Sequence, residues 1–210
     1  MELIITSFCK IKRNAVYLNG NKIISSNSEN PSYFFAEAYK ILELNYPKFH
    51  KMDQLSKLGF LAGETLLSKS DFLQKNNLDE IAIVLSNKSS SLDTDRIYQK
   101  SISHKENYLP SPATFVYTLP NIVIGEIAIK HKITGENAFF VNEKFDAEVM
   151  VNYTTELFNG ANTNAAICGW ADYDEGNYDA FIYLVEKAND SIKNVNFKAL
   201  NQTTLNQLFL

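Results

Sequence analysis

Short apolar runs separated by polar turns predict that the chain begins with strands. Residues 2–11, ELIITSFCKI, are rich in β-branched side chains and predict a first strand. Two shorter runs, at residues 15–19 and 22–24, predict a hairpin after it. We therefore expect an N-terminal strand followed by a short hairpin.

Helical start signals follow. Asn30 and then Pro31 are typical of an N-cap and a first helical position, and this helix should run to about Leu44, before Pro47. Asp53 predicts the N-cap of a second helix. Its apolar residues recur at helical spacing: Leu55, Leu58, Ala62 and Leu66.

The middle of the chain contains an apolar run that is typical of a buried parallel strand, residues 79–86. Residues 87–111 are polar and predict a loop with one helical turn near residues 95–100. Pro120 predicts the start of a further helix, whose apolar residues cover most of its circumference. We expect that helix to be buried on several sides.

A strand, a helix and two more strands complete the pattern. Residues 137–143 predict a strand that turns sharply into a helix at residues 146–159, with Gly160 just beyond its end. Residues 163–170 and 177–186 predict strands joined by the turn DYDEGN. Its carboxylates lack the spacing of a calcium loop and favour an acidic hairpin turn. Strands alternating with helices predict an α/β fold.

Composition limits the class of protein. The 210 residues are 45% hydrophobic with a net charge of −4, which suits one soluble domain. Lysine and arginine are dispersed, so we expect neither a nucleic-acid partner nor an anionic membrane surface. No apolar run is long enough for a signal peptide or a membrane span. Two cysteines are too few for a disulfide framework and favour the cytoplasm.

The turn after residues 137–143 is a strand-to-helix elbow, a favoured place for a catalytic nucleophile. Here the elbow carries Glu143, Lys144 and Phe145, with neither Cys nor Ser.

Three stretches resemble the N-terminal half of a β-ketoacyl-acyl-carrier-protein synthase, a thiolase-like fold. They are MDQLSKLGFLAGETLL, SPATFVYTLPNIVIGEIAIKHKITGEN and the strand–helix–strand at residues 137–169. The resemblance covers roughly residues 1–187, with residues 188–210 as a polar tail, and we expect a single domain over residues 1–210. It implies one α/β half-fold with a mixed, mostly parallel sheet and helices on both faces.

The departures from this family concern its chemistry. Counting from Gly135, the family's nucleophilic Cys falls at Lys144, give or take one residue, and a small flexible turn is replaced by residues 144–147. The family's C-terminal half, with two catalytic His and a Lys, is expected to be absent. Thioester chemistry needs a thiolate and donors for the enolate. We therefore expect no catalytic residue, cofactor or metal, and an inactive elbow.

Other candidate residues have ordinary explanations beside the functional ones. Lys144 could form a Schiff base or pair with the phosphates of an acyl carrier protein, but a solvated turn lysine is favoured. Cys9 or Cys168 could pair with His131, although buried free cysteines are usually inert. His50, His104 and His131 show no metal-ligand spacing.

The helix after the elbow has two stripes. The polar stripe comprises Glu148, Asn152, Thr155 and Asn159, and an apolar stripe of Val149, Tyr153 and Leu157, widened by Met150, lies beside it. Because a buried polar stripe without partners is costly, we expect this face to be solvated or hydrogen-bonded.

Three functions follow from the resemblance. The first is a non-catalytic partner of an active ketosynthase in a fatty-acid or polyketide-type pathway, including aryl polyene or flexirubin-like ones. The second is a homodimer that binds an acyl chain or acyl carrier protein without chemistry. The third is an enzyme that uses Lys144 or a cysteine.

The strand before the elbow is the expected dimer contact, since in ketosynthases it pairs with its twin. The candidates are Asn137, Ala138, Phe139, Phe140, Val141, Asn142 and Glu143. An apolar edge strand is a template for association. We expect a homodimer, or a heterodimer with a ketosynthase, that buries Phe139 or Phe140.

Overall fold

The computed structural model describes residues 2–103, 105–160, 162–188 and 197–210. The strands are β1 (Leu3–Lys12), β2 (Ala15–Leu18), β3 (Asn21–Ser25), β4 (Ile81–Asn87), β5 (Asn137–Val141), β6 (Ala165–Asp174), β7 (Asn177–Lys187) and β8 (Lys198–Ala199). The helices are α1 (Pro31–Ile41), α2 (Gln54–Leu67), α3 (Phe72–Lys75), α4 (Leu92–Ile102), α5 (Pro112–Val116), α6 (Ile122–His131), α7 (Ala147–Gly160) and α8 (Gln202–Phe209). Short 3₁₀ turns occur at Pro47–Lys51 and Lys105–Asn107.

The strands form one sheet in the order β3-β2-β1-β7-β6-β4-β5, with β8 beside β1. β4 pairs in parallel with β5 and with β6, whereas β7 runs antiparallel to both β6 and β1. Of the five central strands, β1, β4, β5 and β6 therefore point the same way. The predicted mixed α/β sheet is confirmed, but its parallel pairs are confined to β4–β5 and β4–β6. The antiparallel strand β7 separates β1 from the others.

Helices cover both faces of the sheet, as predicted. On the first face, α1, α2 and α6 pack over a core that includes Phe34, Leu58 and Val123. On the second face, α7 and α8 pack over a core that includes Met150 and Leu205. Among the described residues, no helix has both the length and the apolar character needed to cross a membrane.

Most of the predicted elements are confirmed, with turn and cap chemistry that explains them. Asp53 accepts a hydrogen bond from the Ser56 backbone N–H at 2.9 Å and so caps α2. Glu175 and Gly176 join β6 to β7 with φ of 48° and 84°. Two consecutive positive φ values are typical of the tight turn that matches strand twist. The acidic run is thus a hairpin turn, as predicted.

Four local predictions were wrong. The loop predicted for residues 87–111 contains the full helix α4, in which only Thr94 is buried, so its sequence shows no apolar stripe. The helix predicted from Pro120 begins at Ile122. It is buried on one side only, because Ile129 is 63% exposed. Gly160 lies within α7 rather than beyond it.

The fourth error concerns the predicted polar tail. Residues 197–210 contain β8, which pairs with β1, and α8, whose Leu205 and Leu208 are buried. Only three of the eight α8 residues are apolar, which made the helix hard to detect from its sequence. The part of the tail at residues 189–196 lies outside the described residues.

The polar stripe predicted on α7 is confirmed as a solvated face. Glu148, Asn152 and Asn159 are exposed. The fully buried line consists of Ala147, Met150, Thr154 and Phe158. The predicted apolar stripe at Val149, Tyr153 and Leu157 lies beside this line and is half-buried.

Candidate functional site: the elbow and the free edge strand

The elbow between β5 and α7 turns one side chain outward and the next one inward. Lys144 is exposed on the turn, as a solvated lysine would be, and Glu143 is exposed beside it. Phe145 is buried. Lys144, the position that the resemblance predicts for the nucleophile, is thus a solvated ammonium group and is followed by a core residue. Schiff-base and phosphate-pairing roles for Lys144 stay hypotheses.

Asp146 occupies the N-terminus of α7. Its Oδ1 accepts hydrogen bonds from the backbone N–H groups of Glu148 and Val149, both at 3.0 Å. These are the donors that a helix N-terminus would otherwise offer to an anionic ligand or intermediate. The elbow therefore satisfies its own N–H groups, and this capping aspartate was not anticipated from the sequence.

Phe145 belongs to an aromatic cluster on the second face of the sheet. Its ring centroid lies 5.7 Å from that of Phe181 and 6.3 Å from that of Trp170, both at nearly perpendicular angles. Phe209 of α8 stacks on it at 4.5 Å. Aromatic side chains thus surround the space behind the elbow.

Both cysteines are fully buried. Burial raises the pKa of Cys9 to about 12, and that of Cys168 to about 12 as well. Cys168 Sγ lies 3.4 Å from Thr154 Oγ1. Because a thiolate is the nucleophilic form, these surroundings suit structural thiols.

His131 lies against a carboxylate rather than a thiol. Its Nε2 contacts Glu64 Oε1, and Lys130 Nζ contacts Glu64 Oε2. His50 is exposed and stacks edge-on against Tyr39, whereas His104 lies outside the described residues. Among the described residues, no group of three or more His, Cys, Asp or Glu is arranged to hold a metal ion.

Helix α6 carries a second buried charge, Glu126, that was not predicted from the sequence. Glu126 is 1% exposed, and its Oε1 accepts a hydrogen bond from Tyr117 Oη at 2.9 Å and lies 2.9 Å from Lys48 Nζ. Burial, reinforced by Glu126, raises the pKa of Tyr117 well above its ordinary value. The sequence signal for this buried charge was a glutamate within the otherwise apolar run IVIGEIAI. Removing Lys48 or Tyr117 would leave the Glu126 charge buried with fewer partners, which is costly.

Strand β5 is an edge of the sheet, as expected of a dimer contact. The Ile83 N–H donates to the Glu136 carbonyl at 2.9 Å, and the Asn142 N–H donates to the Asn87 carbonyl at 2.8 Å. In a parallel ladder, alternate residues direct their N–H and C=O groups to the same neighbour. Ala138, Phe140 and Asn142 therefore face β4. The free edge carries the N–H and C=O groups of Asn137, Phe139 and Val141.

The side chains of β5 alternate between the two faces. Phe139 packs partly against the first core, and Phe140 packs partly against the second, where its ring meets Tyr153 at 5.0 Å. Val141 is 54% exposed. We expected only one of the two phenylalanines to face inward. Instead, both rings are half-buried, on opposite faces of the sheet.

Exposed apolar side chains are frequent in the part of the chain that leads from α4 to β5. Nine of the thirteen exposed large apolar side chains among the described residues fall between residues 92 and 141, so the exposure is concentrated there. They are Leu92, Ile97, Tyr108, Leu109, Phe115, Val116, Leu119, Ile129 and Val141. On α6, Ile129 is exposed, whereas Ile122 packs partly against the first core.

The sequence matches no protein-family model and no curated protein. Its fold, however, resembles solved structures. The ishigamide ketosynthase/chain length factor is 15% identical with a TM-score of 0.65, over 90% of this chain and 63% of that chain. A ketosynthase in complex with its chain length factor from Xenorhabdus doucetiae is 14% identical with a TM-score of 0.60, over 90% and 81%.

A third structure is a type II PKS acyl-carrier protein in complex with its ketosynthase bound to the hexaketide. It is 12% identical with a TM-score of 0.67, over 99% of this chain and 72% of that chain. The chain spans less than two thirds of the length of the first of these structures. At such identities the likeness shows the fold alone: the chain has a thiolase-like fold related to ketosynthases.

Proposed function

We propose that this chain is a non-catalytic, ketosynthase-like subunit that pairs through β5 with an active ketosynthase. The pathway would be of the fatty-acid or polyketide type, with aryl polyene and flexirubin-like pathways as specific candidates. The observation that carries the proposal is the outer edge of β5, which pairs with no other described strand and on which Val141 is 54% exposed. Unpaired backbone groups at an apolar edge favour association with another chain.

The elbow supports the non-catalytic part of the proposal. Where an acyl-transfer site needs a thiolate and free N–H donors, this elbow has Lys144 in solvent and Asp146 on the helix N-terminus. The two cysteines are buried, with raised pKa values. An enzyme that uses a cysteine would therefore require a rearrangement of the core, whereas one that uses Lys144 would act through a solvent-exposed lysine.

The edge geometry supports antiparallel pairing about a two-fold axis. The outward groups belong to Asn137, Phe139 and Val141, which are evenly spaced around Phe139. An axis through Phe139 would pair it with the equivalent residue of a related strand, and Asn137 with the equivalent of Val141. Isologous pairing also fits a homodimer that binds an acyl chain or an acyl carrier protein, which is the second candidate.

The structural neighbours bear on the choice of partner. Two of them are a ketosynthase with its chain length factor and a ketosynthase with its acyl-carrier protein. A chain of the same fold whose elbow lacks a nucleophile suits the accessory side of such a pair. The cytoplasmic location and the carrier-protein contact stay predictions.

Sedimentation velocity separates these candidates. The chain alone, a candidate ketosynthase alone, and an equimolar mixture would be run across a range of concentrations. A new species with the mass of one copy of each supports the proposal, whereas self-association of the chain alone supports the homodimer. A monomer under every condition would contradict both.

Incubation with acyl- and malonyl-carrier protein, followed by intact mass analysis, tests the enzyme hypothesis, which predicts acyl labelling.

A further inference from the structure

A small cleft lies where the start of α2 meets α4 and α5. Its volume is about 250 Å³, and the buried side chains of Met52 and Thr94 line it together with the exposed side chain of Ile97. Thr94 Oγ1 donates a hydrogen bond to Asp53 Oδ2 at 2.9 Å and so joins α4 to the start of α2. Because pockets for drug-sized molecules are larger, this cleft suits a single side chain or a molecule of that size.

Two carboxylates line the cleft, Asp53 from the start of α2 and Asp93 from α4. Asp93 Oδ1 accepts a hydrogen bond from the Glu175 backbone N–H at 3.2 Å. Among the described residues, neither carboxylate forms an ion pair with a lysine, an arginine or a histidine. Burial raises the pKa of Asp53, and its hydrogen bonds offset this only in part. The negative charge of the cleft is therefore incompletely balanced.

The cations around the cleft have other partners or lie in solvent. Arg96, one turn beyond Asp93 on α4, contacts Asp174, and its Nη1 lies 3.9 Å from Glu175 Oε1. Lys51 lines the cleft but is exposed. Lys57 lies one turn beyond Asp53 on α2, where burial lowers its pKa. None of the three therefore neutralises Asp53 or Asp93 by direct contact.

A third acceptor faces the same cleft. Gln54 Oε1 is buried and has no hydrogen-bond partner among the described residues, although Gln54 lines the cleft. The other end of this carboxamide is fixed, because Gln54 Nε2 donates to Ser32 Oγ at 2.6 Å. A buried acceptor without a donor costs free energy, which a ligand that donates a hydrogen bond would recover. The cleft thus requires both a positive charge and N–H donors.

We propose that this cleft binds a guanidinium group on a short apolar stem, such as an arginine side chain. A guanidinium carries five N–H donors and no acceptor, so one group can serve Asp53, Asp93 and Gln54 Oε1 together. Met52 and Ile97 supply apolar surface for the stem. The site contains no residue of β5 or of the elbow, so the proposal is independent of the proposed function.

Isothermal titration calorimetry on the full chain tests the requirement for charge. The probe is N-acetyl-L-arginine methylamide, and the control is N-acetyl-L-citrulline methylamide, which has the same shape without the charge. We expect the arginine probe to bind at least about tenfold more tightly than the citrulline control. Free L-arginine, titrated beside them, identifies the source of the ligand. Tighter binding of the methylamide supports the side chain of a polypeptide, and tighter binding of L-arginine supports the free amino acid.

Charge-removing variants test the location. Asp53→Asn keeps a helix-capping oxygen, and Asp93→Asn keeps the acceptor for the Glu175 N–H, so we expect both variants to fold. Each should weaken binding of the arginine probe about tenfold. Glu148→Gln, on the exposed face of α7, changes the net charge equally and should bind like the unmodified chain.

Hydrogen exchange on the unmodified chain provides a test that needs no variant. Only Thr94 of α4 is buried, so a ligand that bridges Asp53 and Asp93 should slow the exchange of the backbone amides of residues 92–102. Unchanged exchange there with the probe bound would overturn the proposal. Equal affinity of the arginine and citrulline probes, or equal loss of affinity in Glu148→Gln and the two cleft variants, would overturn it as well, as would the absence of binding.

Discussion

The elbow and the free edge of β5 are joined by only a few residues, yet they differ in how their polar and apolar groups are satisfied. The N–H donors and the aromatic ring of the elbow are capped or buried, whereas the outward groups of the edge face solvent. At the elbow, Asp146 caps the helix donors and Phe145 is buried among aromatic rings. At the edge, Val141 and the outward backbone groups of β5 face solvent. The elbow is thus closed by its own side chains, whereas the edge of β5 leaves backbone groups without a partner among the described strands.

The largest expected effect on stability is at Phe145, on the buried side of the elbow. Phe145→Ala removes a ring that is 7% exposed and should destabilise the protein by about 3–5 kcal/mol. Urea unfolding followed by circular dichroism measures the loss. Lys144→Ala is the matched control, and we expect it to leave the unfolding midpoint unchanged. Equal effects of the two substitutions would show that the elbow is not closed by Phe145.

The cap of α7 should have a smaller effect. Asp146→Ala frees the two N–H donors of Glu148 and Val149 and should cost about 1 kcal/mol. Asp146→Asn keeps an acceptor oxygen and should recover most of the loss. Urea unfolding of both variants measures these differences in stability. If Asp146→Ala were as stable as the parent, water would serve the helix end equally well, and the capping argument would be wrong.

The smallest expected effect is a null result at Lys144. Lys144→Cys places a thiol where the family has its nucleophile, yet the donors for the enolate are missing and Asp146 occupies the helix N–H groups. Groups that act as a unit are strongly non-additive. We expect alkylation of the thiol without turnover, measured as release of carbon dioxide from malonyl-carrier protein. Sustained release by the variant would contradict an inactive elbow.

The sequence predicted most of the local structure because the signals were local. Asn30 and Pro31 mark the start of α1, and the apolar run of residues 79–86 became β4, whose residues are all buried. The edge location of the predicted strand followed from the resemblance, and the structure places β5 at the edge of the described sheet. The correspondence of Lys144 to the family's nucleophile stays a prediction.

What could not be predicted depended on distant partners. The insertion of β7 between β1 and β6 is set by pairing across the whole chain rather than by any local pattern. The burial of Phe145 depends on Phe209, which follows it by many residues and lies in a helix with few apolar side chains. The outward direction of the Val141 N–H depends on the register between β4 and β5.

Adjacent residues of the edge strand provide the most direct test of the association claim. The Val141 N–H points to the free edge, whereas the Asn142 N–H donates to the Asn87 carbonyl at 2.8 Å. Proline removes the N–H in both cases. Val141→Pro and Asn142→Pro therefore break an intermolecular and an intramolecular hydrogen bond, respectively.

Sedimentation velocity and thermal unfolding would be measured on both proline variants, alone and mixed with the ketosynthase. We expect Val141→Pro to weaken the dimer at least about tenfold while the monomer keeps its melting temperature. Asn142→Pro should instead lower the melting temperature. If Val141→Pro assembled as tightly as the unmodified chain, or if no variant and no parent chain formed a dimer, the claim that β5 is the contact would be contradicted.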